Sequence, residues 1–287
     1  MTDKTAPTVV LDEHGKPQGF LEHVDDFQTI RTERVDEGIL VITLDRPTKL
    51  NAFDERMLRE MRSVVWKANF DDTVRVIVIT GSGRAFCAGR DINGLDYENN
   101  LLTAQYRAYV RANHELFDDL EAIEKPVIAA INGVCAGGGV EMAAACDFRM
   151  AAEGVQFLLP EIQLGVIPAS GAASRMIQMI GIGRLKEMVI AALPIDAQEA
   201  RQIGLVNRVF PKDKLMEGTL DFARALLKRA PQAMGMGKVI INMCQNIDTE
   251  TGRNLERLCQ SILIRTQDNK EGMRAFREKR KPNFSGQ

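Results

Sequence analysis

The stretch Gly133-Val134-Cys135-Ala136-Gly137-Gly138-Gly139-Val140-Glu141 decides how this chain reads. Before it stands Pro126-Val127-Ile128-Ala129-Ala130-Ile131, an apolar run of strand length with β-branched residues. After it comes Met142-Ala143-Ala144-Ala145-Cys146, mostly good helix formers. The order is strand, tight glycine turn, helix. Glycines at a helix mouth leave amide N–H groups unobstructed, and the helix dipole adds partial positive charge there. Such a place holds an anion or a developing oxyanion. Glu141 falls in the first helical turn, where the dipole favours its ionised form. A glycine run also serves as a plain packing turn, and a first-turn acid as a cap, so the remaining sequence has to decide.

The 287 residues are 45% hydrophobic and 26% charged with net charge -2, the composition of an ordinary soluble globular protein. The near-neutral charge argues against nucleic acid as a main partner. No stretch approaches the roughly 18 consecutive apolar residues of a membrane span. The acidic N-terminal region, without an apolar segment, is not expected to be a signal peptide. Cys87, Cys135, Cys146, Cys244 and Cys259 form no CxxC pair, which points to reduced structural thiols in a cytoplasmic protein and to no metal.

Residues 1–25 lack periodicity and read as an extended arm. A hairpin is expected from Phe27–Val35 and Gly38–Asp45 across the Asp36-Glu37-Gly38 turn. Asp54 is placed to cap a helix striped by Met57, Met61, Val64 and Val65. Val74–Thr80 is almost wholly apolar, as a strand covered on both faces would be. The small-residue segment from Gly81 to Asp91 reads as a long turn after it. A helical pattern runs from Ile92 to Leu120, short strands at 148–152 and 155–159, and a helix from Ser170 to Ala192 broken at Gly181-Ile182-Gly183. Alternating strand, loop and helix imply an α/β fold with parallel pairing and a site beyond the carboxyl ends of the strands. From 211 to 287 the pattern is helical and amphipathic.

Five pieces then occur in a fixed order: Arg46-Pro47…Asn51-Ala52, Ala85-Phe86-Cys87-Ala88-Gly89-Arg90-Asp91, Ile131-Asn132-Gly133…Gly137-Gly138-Gly139-Val140-Glu141, Pro160-Glu161-Ile162-Gln163-Leu164-Gly165-Val166-Ile167-Pro168, and Ala200…Gly204-Leu205-Val206-Asn207-Arg208-Val209. Together they resemble the crotonase, or enoyl-CoA hydratase/isomerase, superfamily over about residues 27 to 284, closest to its enoyl-CoA hydratases. The resemblance implies a crotonase-like spiral of ββα repeats (26–210) with a C-terminal helical trimerisation region (211–287), assembled as a homotrimer or dimer of trimers. It implies an acyl-CoA thioester as substrate, coenzyme A being part of the substrate and no separate cofactor being needed. The activity implied is a hydratase (lyase) of fatty acid metabolism. The oxyanion donors map onto the backbone N–H groups of Arg90 and Gly138.

In relatives that hydrate enoyl-CoA, glutamates stand at the positions of both Glu141 and Glu161. Hydrating a conjugated double bond needs a base for water and an acid for the α-carbon. Glu141 is expected to hold and activate water. Glu161, after Pro160 in an apolar segment, is expected to have a raised pKa and to donate the proton. Coenzyme A contacts are implied at Ala88 and Gly89 and at the Asn51-Ala52 segment. Further contacts are implied at Phe276 and Lys279 in the basic stretch that runs to Lys281, in some relatives from a neighbouring subunit. Gly137 and Asp91 belong to the two turns, Asp91 being expected to order its loop by accepting backbone N–H bonds. Pro168-Ala169-Ser170-Gly171 replaces the glycine run of many relatives and borders the acyl pocket. Tyr97, Tyr106, Tyr109 and His114 are candidates for another wall. Open alternatives are a double-bond isomerase, a hydroxyacyl-CoA dehydratase, a C–C cleaving enzyme, or a non-catalytic scaffold for a CoA ester or RNA.

Overall fold

The longest apolar runs become the middle of a sheet. A computed structural model describes residue 24, residues 26–92 and residues 102–287 (112 and 113 as backbone only), with the backbone of 10–11 and 17–18. Strands β1 (Val10–Leu11) and β2 (Pro17–Gln18) pair antiparallel. Apart from these and Val24, the arm expected over 1–25 lies outside the described residues, as does Tyr97.

Strands β3 (Ile30–Val35) and β4 (Ile39–Leu44) form the expected hairpin, with Ile30 opposite Leu44 and Val35 opposite Ile39. Helix α1 (Glu55–Phe70) starts where Asp54 accepts a 2.9 Å hydrogen bond from Met57 N, and it buries the predicted Met57, Met61, Val64 and Val65. There follow β5 (Val76–Gly81), β6 (Ala85–Cys87), α2 (Thr103–Ala122), β7 (Val127–Ile131), β8 (Val134–Ala136) and α3 (Gly138–Ala145). Next come β9 (Phe148–Ala152), β10 (Gln156–Leu158), α4 (Ala172–Ile190), β11 (Ile195–Asp196), α5 (Ala197–Gln202) and β12 (Arg208–Phe210). The C-terminal region is helical, with α6 (Leu215–Leu227), α7 (Pro231–Cys244), α8 (Thr249–Leu263) and α9 (Gln267–Arg277). Gly181, at φ 75° and ψ 160°, breaks α4 where the sequence placed the interruption.

The strands form two larger sheets. A six-stranded sheet runs β12-β9-β7-β5-β4-β3 and is parallel except for the β3–β4 hairpin. A four-stranded sheet runs β11-β10-β8-β6 and is parallel except for β10–β11. The chain alternates between them. A strand of the large sheet (β5, β7 or β9) is followed by a short strand of the small one (β6, β8 or β10) and then by a helix, so the fold is a spiral of ββα turns. All of β7 is buried, and α6 packs across β5, β7 and β9. Each large apolar side chain buried this way contributes about 1.5–3 kcal/mol.

The small sheet corrects the sequence reading. The segments read as glycine turns, 81–91 and 133–139, contain β6 and β8. Three-residue strands show no periodicity, and partners distant in sequence define them. Gly133 marks the corner between β7 and β8, because a Cβ on it would lie 2.1 Å from the Arg84 carbonyl oxygen.

The C-terminal helices are stitched to this core. Lys238 of α7 is buried; its Nζ donates to Leu120 O at 2.9 Å and Lys125 O at 3.3 Å, and pairs with Asp147 at 2.8 Å.

Candidate active site

The first wall of the site is the loop after β6. Phe53 N donates to Gly89 O at 2.8 Å and Asp91 N to Phe53 O at 2.9 Å, one parallel bridge between Phe53 and Arg90. Backbone groups alternate along such a pairing, so the Arg90 N–H is directed away from Phe53. Buried Asn51 fixes the approach: its carbonyl oxygen accepts from Arg46 N at 3.0 Å, and its amide donates to Ser82 O at 2.9 Å and Ala85 O at 2.8 Å. The Arg46 guanidinium donates to Ala52 O at 2.5 Å and meets Asp91 at 2.9 Å and Asp54 at 3.2 Å. Asp91 is thus tied to its loop by the Arg46 guanidinium, where the sequence predicts backbone N–H donors. Gly89, at φ +96°, passes so close to the start of α3 that a Cβ on it would stand 3.1 Å from Gly138 N.

The second wall is α3 itself. Gly138 is its first residue, so its N–H has no acceptor inside the helix. Every α3 side chain is buried, and Glu141 is only 2% exposed. Its Oε1 accepts from Ser170 N at 2.7 Å and Ala172 N at 3.0 Å, at the start of α4. Burial dominates its titration and pushes the pKa upward; the two amides and the charge of Arg175 pull the other way. The helix start is not the whole environment of Glu141: burial opposes its ionised form, and the donors that favour that form come from the start of a different helix.

Glu161 opens a single 3-10 turn, Glu161–Leu164, against the Gly137 corner. Its Oε2 is buried with no hydrogen-bond partner among the described residues. Burial first, and the Glu141 charge second, push its pKa up to about 7. The direction is the one expected from its apolar surroundings.

Both carboxyl groups line one cavity of about 510 Å³, together with Ala88, Gly89, Arg90, Gly137 and Gly138. Phe53, Val110, Phe117, Leu164 and Val166 make much of the remaining lining apolar. Ala169 and Ser170 reach the cavity, whereas Pro168 is buried one step behind them. Tyr106 and His114 of α2 lie on the wall. Burial lowers the His114 pKa, helped by Arg175 and Arg90 and opposed by Asp118. Tyr109 instead accepts a hydrogen bond from the Arg90 guanidinium and donates its own hydroxyl to Glu55 Oε1 at 2.7 Å. Cys87 is fully buried with its thiol pushed up to about 12, a packing residue rather than a nucleophile.

Phe276 and Lys279 stay apart from this constellation. Phe276 is 81% exposed on α9, Lys279 is exposed just beyond it, and neither lines the cavity of its own chain. Two functional features escaped the sequence reading: the Ser170 and Ala172 amides that hold Glu141, and Arg175 beneath them. A signal for the amides existed, since Ser170 was read as the start of a helix and helix starts bind carboxylates. Among the described residues, no group of three or more His, Cys, Asp or Glu is arranged to hold a metal ion, and no helix is long and apolar enough to cross a membrane.

Comparison with known proteins gives the same picture. A family model described as Enoyl-CoA hydratase/isomerase matches residues 34–287. The chain is 37% identical to a crotonyl-CoA hydratase of Syntrophomonas wolfei over 250 residues, 87% of this chain and 95% of that one. It is 35% identical to a 2,3-dehydroadipyl-CoA hydratase of Escherichia coli, covering 87% and 96% of the two chains. The crystal structure of an enoyl-CoA hydratase from Bacillus anthracis superposes with a TM-score of 0.85 at 34% identity, over 91% of this chain and all of that one. Spiral, paired carboxyl groups and sequence matches converge, and the chain belongs to the enoyl-CoA hydratase/isomerase family.

Proposed function

We propose that this protein is an enoyl-CoA hydratase, adding water reversibly across the 2,3-double bond of an acyl-CoA thioester. The observation that carries the reading is that Glu141 and Glu161 line one cavity beside the Arg90 and Gly138 backbone. The thioester oxygen sits between the Arg90 and Gly138 amides, which stabilise the negative charge it gains when C3 is attacked. One such donor is worth about 3 kcal/mol. Glu141 takes a proton from water as its oxygen bonds C3, and Glu161 gives a proton to C2. The transfers balance once a proton passes from Glu141 back to Glu161 between turnovers. With its pKa near 7, Glu161 holds that proton in about half of the molecules at neutral pH and in more of them below it.

The test is loss of the conjugated thioester absorbance with crotonyl-CoA and a series of longer and substituted enoyl thioesters. A shifted double bond without hydration would identify an isomerase instead, and binding without turnover a scaffold.

Self-association into a homotrimer or dimer of trimers through α4 and the C-terminal helices is part of the same proposal. It is supported by exposed apolar side chains at Ile182 (59%), Ile190 (64%) and Leu258 (59%). Light scattering on the purified protein tests it. A cytoplasmic location is supported by free cysteines, three of them buried.

A further inference from the structure

We propose that Arg175 is a positioning residue for Glu141, acting through the backbone turn that grips the Glu141 carboxylate; the inference rests on the hydratase reading above.

The turn is 170–172. Its amides at Ser170 and Ala172 hold Glu141 Oε1 at 2.7 and 3.0 Å. Nothing in a short loop ahead of a helix fixes those amides by itself, and Gly171 between them sits at φ +113°. Arg175, in the first turn of α4, fixes them from below. Its backbone N donates to Gly171 O at 2.9 Å, and its side-chain Nη1 donates to Ser170 O at 3.0 Å. The guanidinium is folded under Gly171 so tightly that a Cβ there would lie 1.9 Å from Nη1. The other edge of the fork is tied to α2: Nε to Glu121 at 2.8 Å and Nη2 to Asp118 at 2.5 Å. A planar donor fork reaching carbonyl and carboxylates together is geometry that arginine supplies and lysine does not. The side chain is 12% exposed, so this arrangement is largely shielded from water.

The same cation faces Glu141 electrostatically. The charged or titratable groups around that carboxyl are Glu161 from the single-turn helix, Arg175 from α4, and His114 and Arg90 on the cavity wall. Arg175 is the cation that draws the Glu141 pKa down against burial. It therefore links the α2 wall, the Ser170–Ala172 turn and the water-activating carboxylate.

The experiment is steady-state hydration of crotonyl-CoA across the neutral pH range by Arg175→Met, Arg175→Lys and Glu121→Gln. Loosening the turn costs Arg175→Met on the order of 10²-fold in kcat. Its KM changes much less than its kcat, because the oxyanion amides of Arg90 and Gly138 are untouched and the turn meets the cavity only through Ser170. The acid limb of its kcat profile moves to higher pH, since Glu141 loses its opposing charge. Arg175→Lys restores the limb but only part of kcat. Glu121→Gln lowers kcat and leaves the limb in place. A folded Arg175→Met protein with wild-type kcat and an unmoved limb overturns the proposal. Should that variant not fold, wild-type kcat in both Arg175→Lys and Glu121→Gln overturns it equally. An inactive wild type overturns the hydratase reading as well; an active wild type with indifferent variants overturns this inference alone.

Discussion

The carboxyl group of Glu161 lies against the bare Cα of Gly137, so close that a methyl group on that carbon would stand 2.8 Å from Glu161 Oε1. The acid of the pair is thus placed by what residue 137 lacks. Gly137→Ala is expected to push Glu161 out of line, with φ +52° adding strain. Hydration should fall on the order of 10²-fold, and the melting temperature should drop by the few degrees that about 1–3 kcal/mol of backbone strain costs. Activity close to wild type in that variant would show that the acid does not depend on this contact.

Glu161 sets a pH dependence. Its folded pKa of about 7 stands above the ordinary 4.5, so the folded protein binds more protons than the unfolded chain between those values. Stability therefore falls as pH rises through that window. Glu161→Gln removes the buried charge and is expected to raise the melting temperature above neutral pH, with the difference vanishing in acid. Wild-type hydration in turn declines above pH of about 7 as the donor loses its proton. Parallel melting and rate profiles check both signs.

Glu141→Gln keeps an oxygen that can accept from Ser170 N but cannot take a proton from water. Turnover is expected to fall by about 10²–10⁴-fold. Affinity for the CoA thioester, measured by calorimetry, is expected to survive.

Asn51 tests the scaffold rather than the chemistry. It is fully buried at φ +55°, and its amide satisfies the carbonyls of Ser82 and Ala85. Asn51→Ala takes the donor from Ser82 O and the acceptor from Arg46 N, at about 1–3 kcal/mol each, while Ala85 O keeps Asn132 at 3.3 Å. Its left-handed backbone also suits alanine less well than asparagine. Urea unfolding should show the loss, and the loop carrying Arg90 should become more susceptible to protease.

The large sheet was legible because β4, β5 and β7 are apolar runs bounded by turn residues, and α1 announced itself through Asp54 and its Met–Val stripe. The Gly181 break was visible because glycine there has no other local role. The small sheet was not legible, since Ala85–Cys87 and Val134–Ala136 are strands only by virtue of each other and of β10. At the site, both glutamates and both glycine corners came from the sequence, but their environments did not. That Glu141 is governed by burial, and that its donors sit at Ser170 and Ala172, depends on how α4 docks. Arg175 stayed hidden because its carboxylate partners lie more than fifty positions earlier.

The Lys238 tether has a consequence for anyone dissecting this molecule. A fragment that stops near residue 210 keeps Asp147, which is 17% exposed, and loses the ammonium paired with it, while the carbonyls of Leu120 in α2 and of Lys125 just beyond it lose that donor. The last quarter of the chain is a keystone, not an appendage: the severed pieces should aggregate when expressed alone and recover solubility only when co-produced.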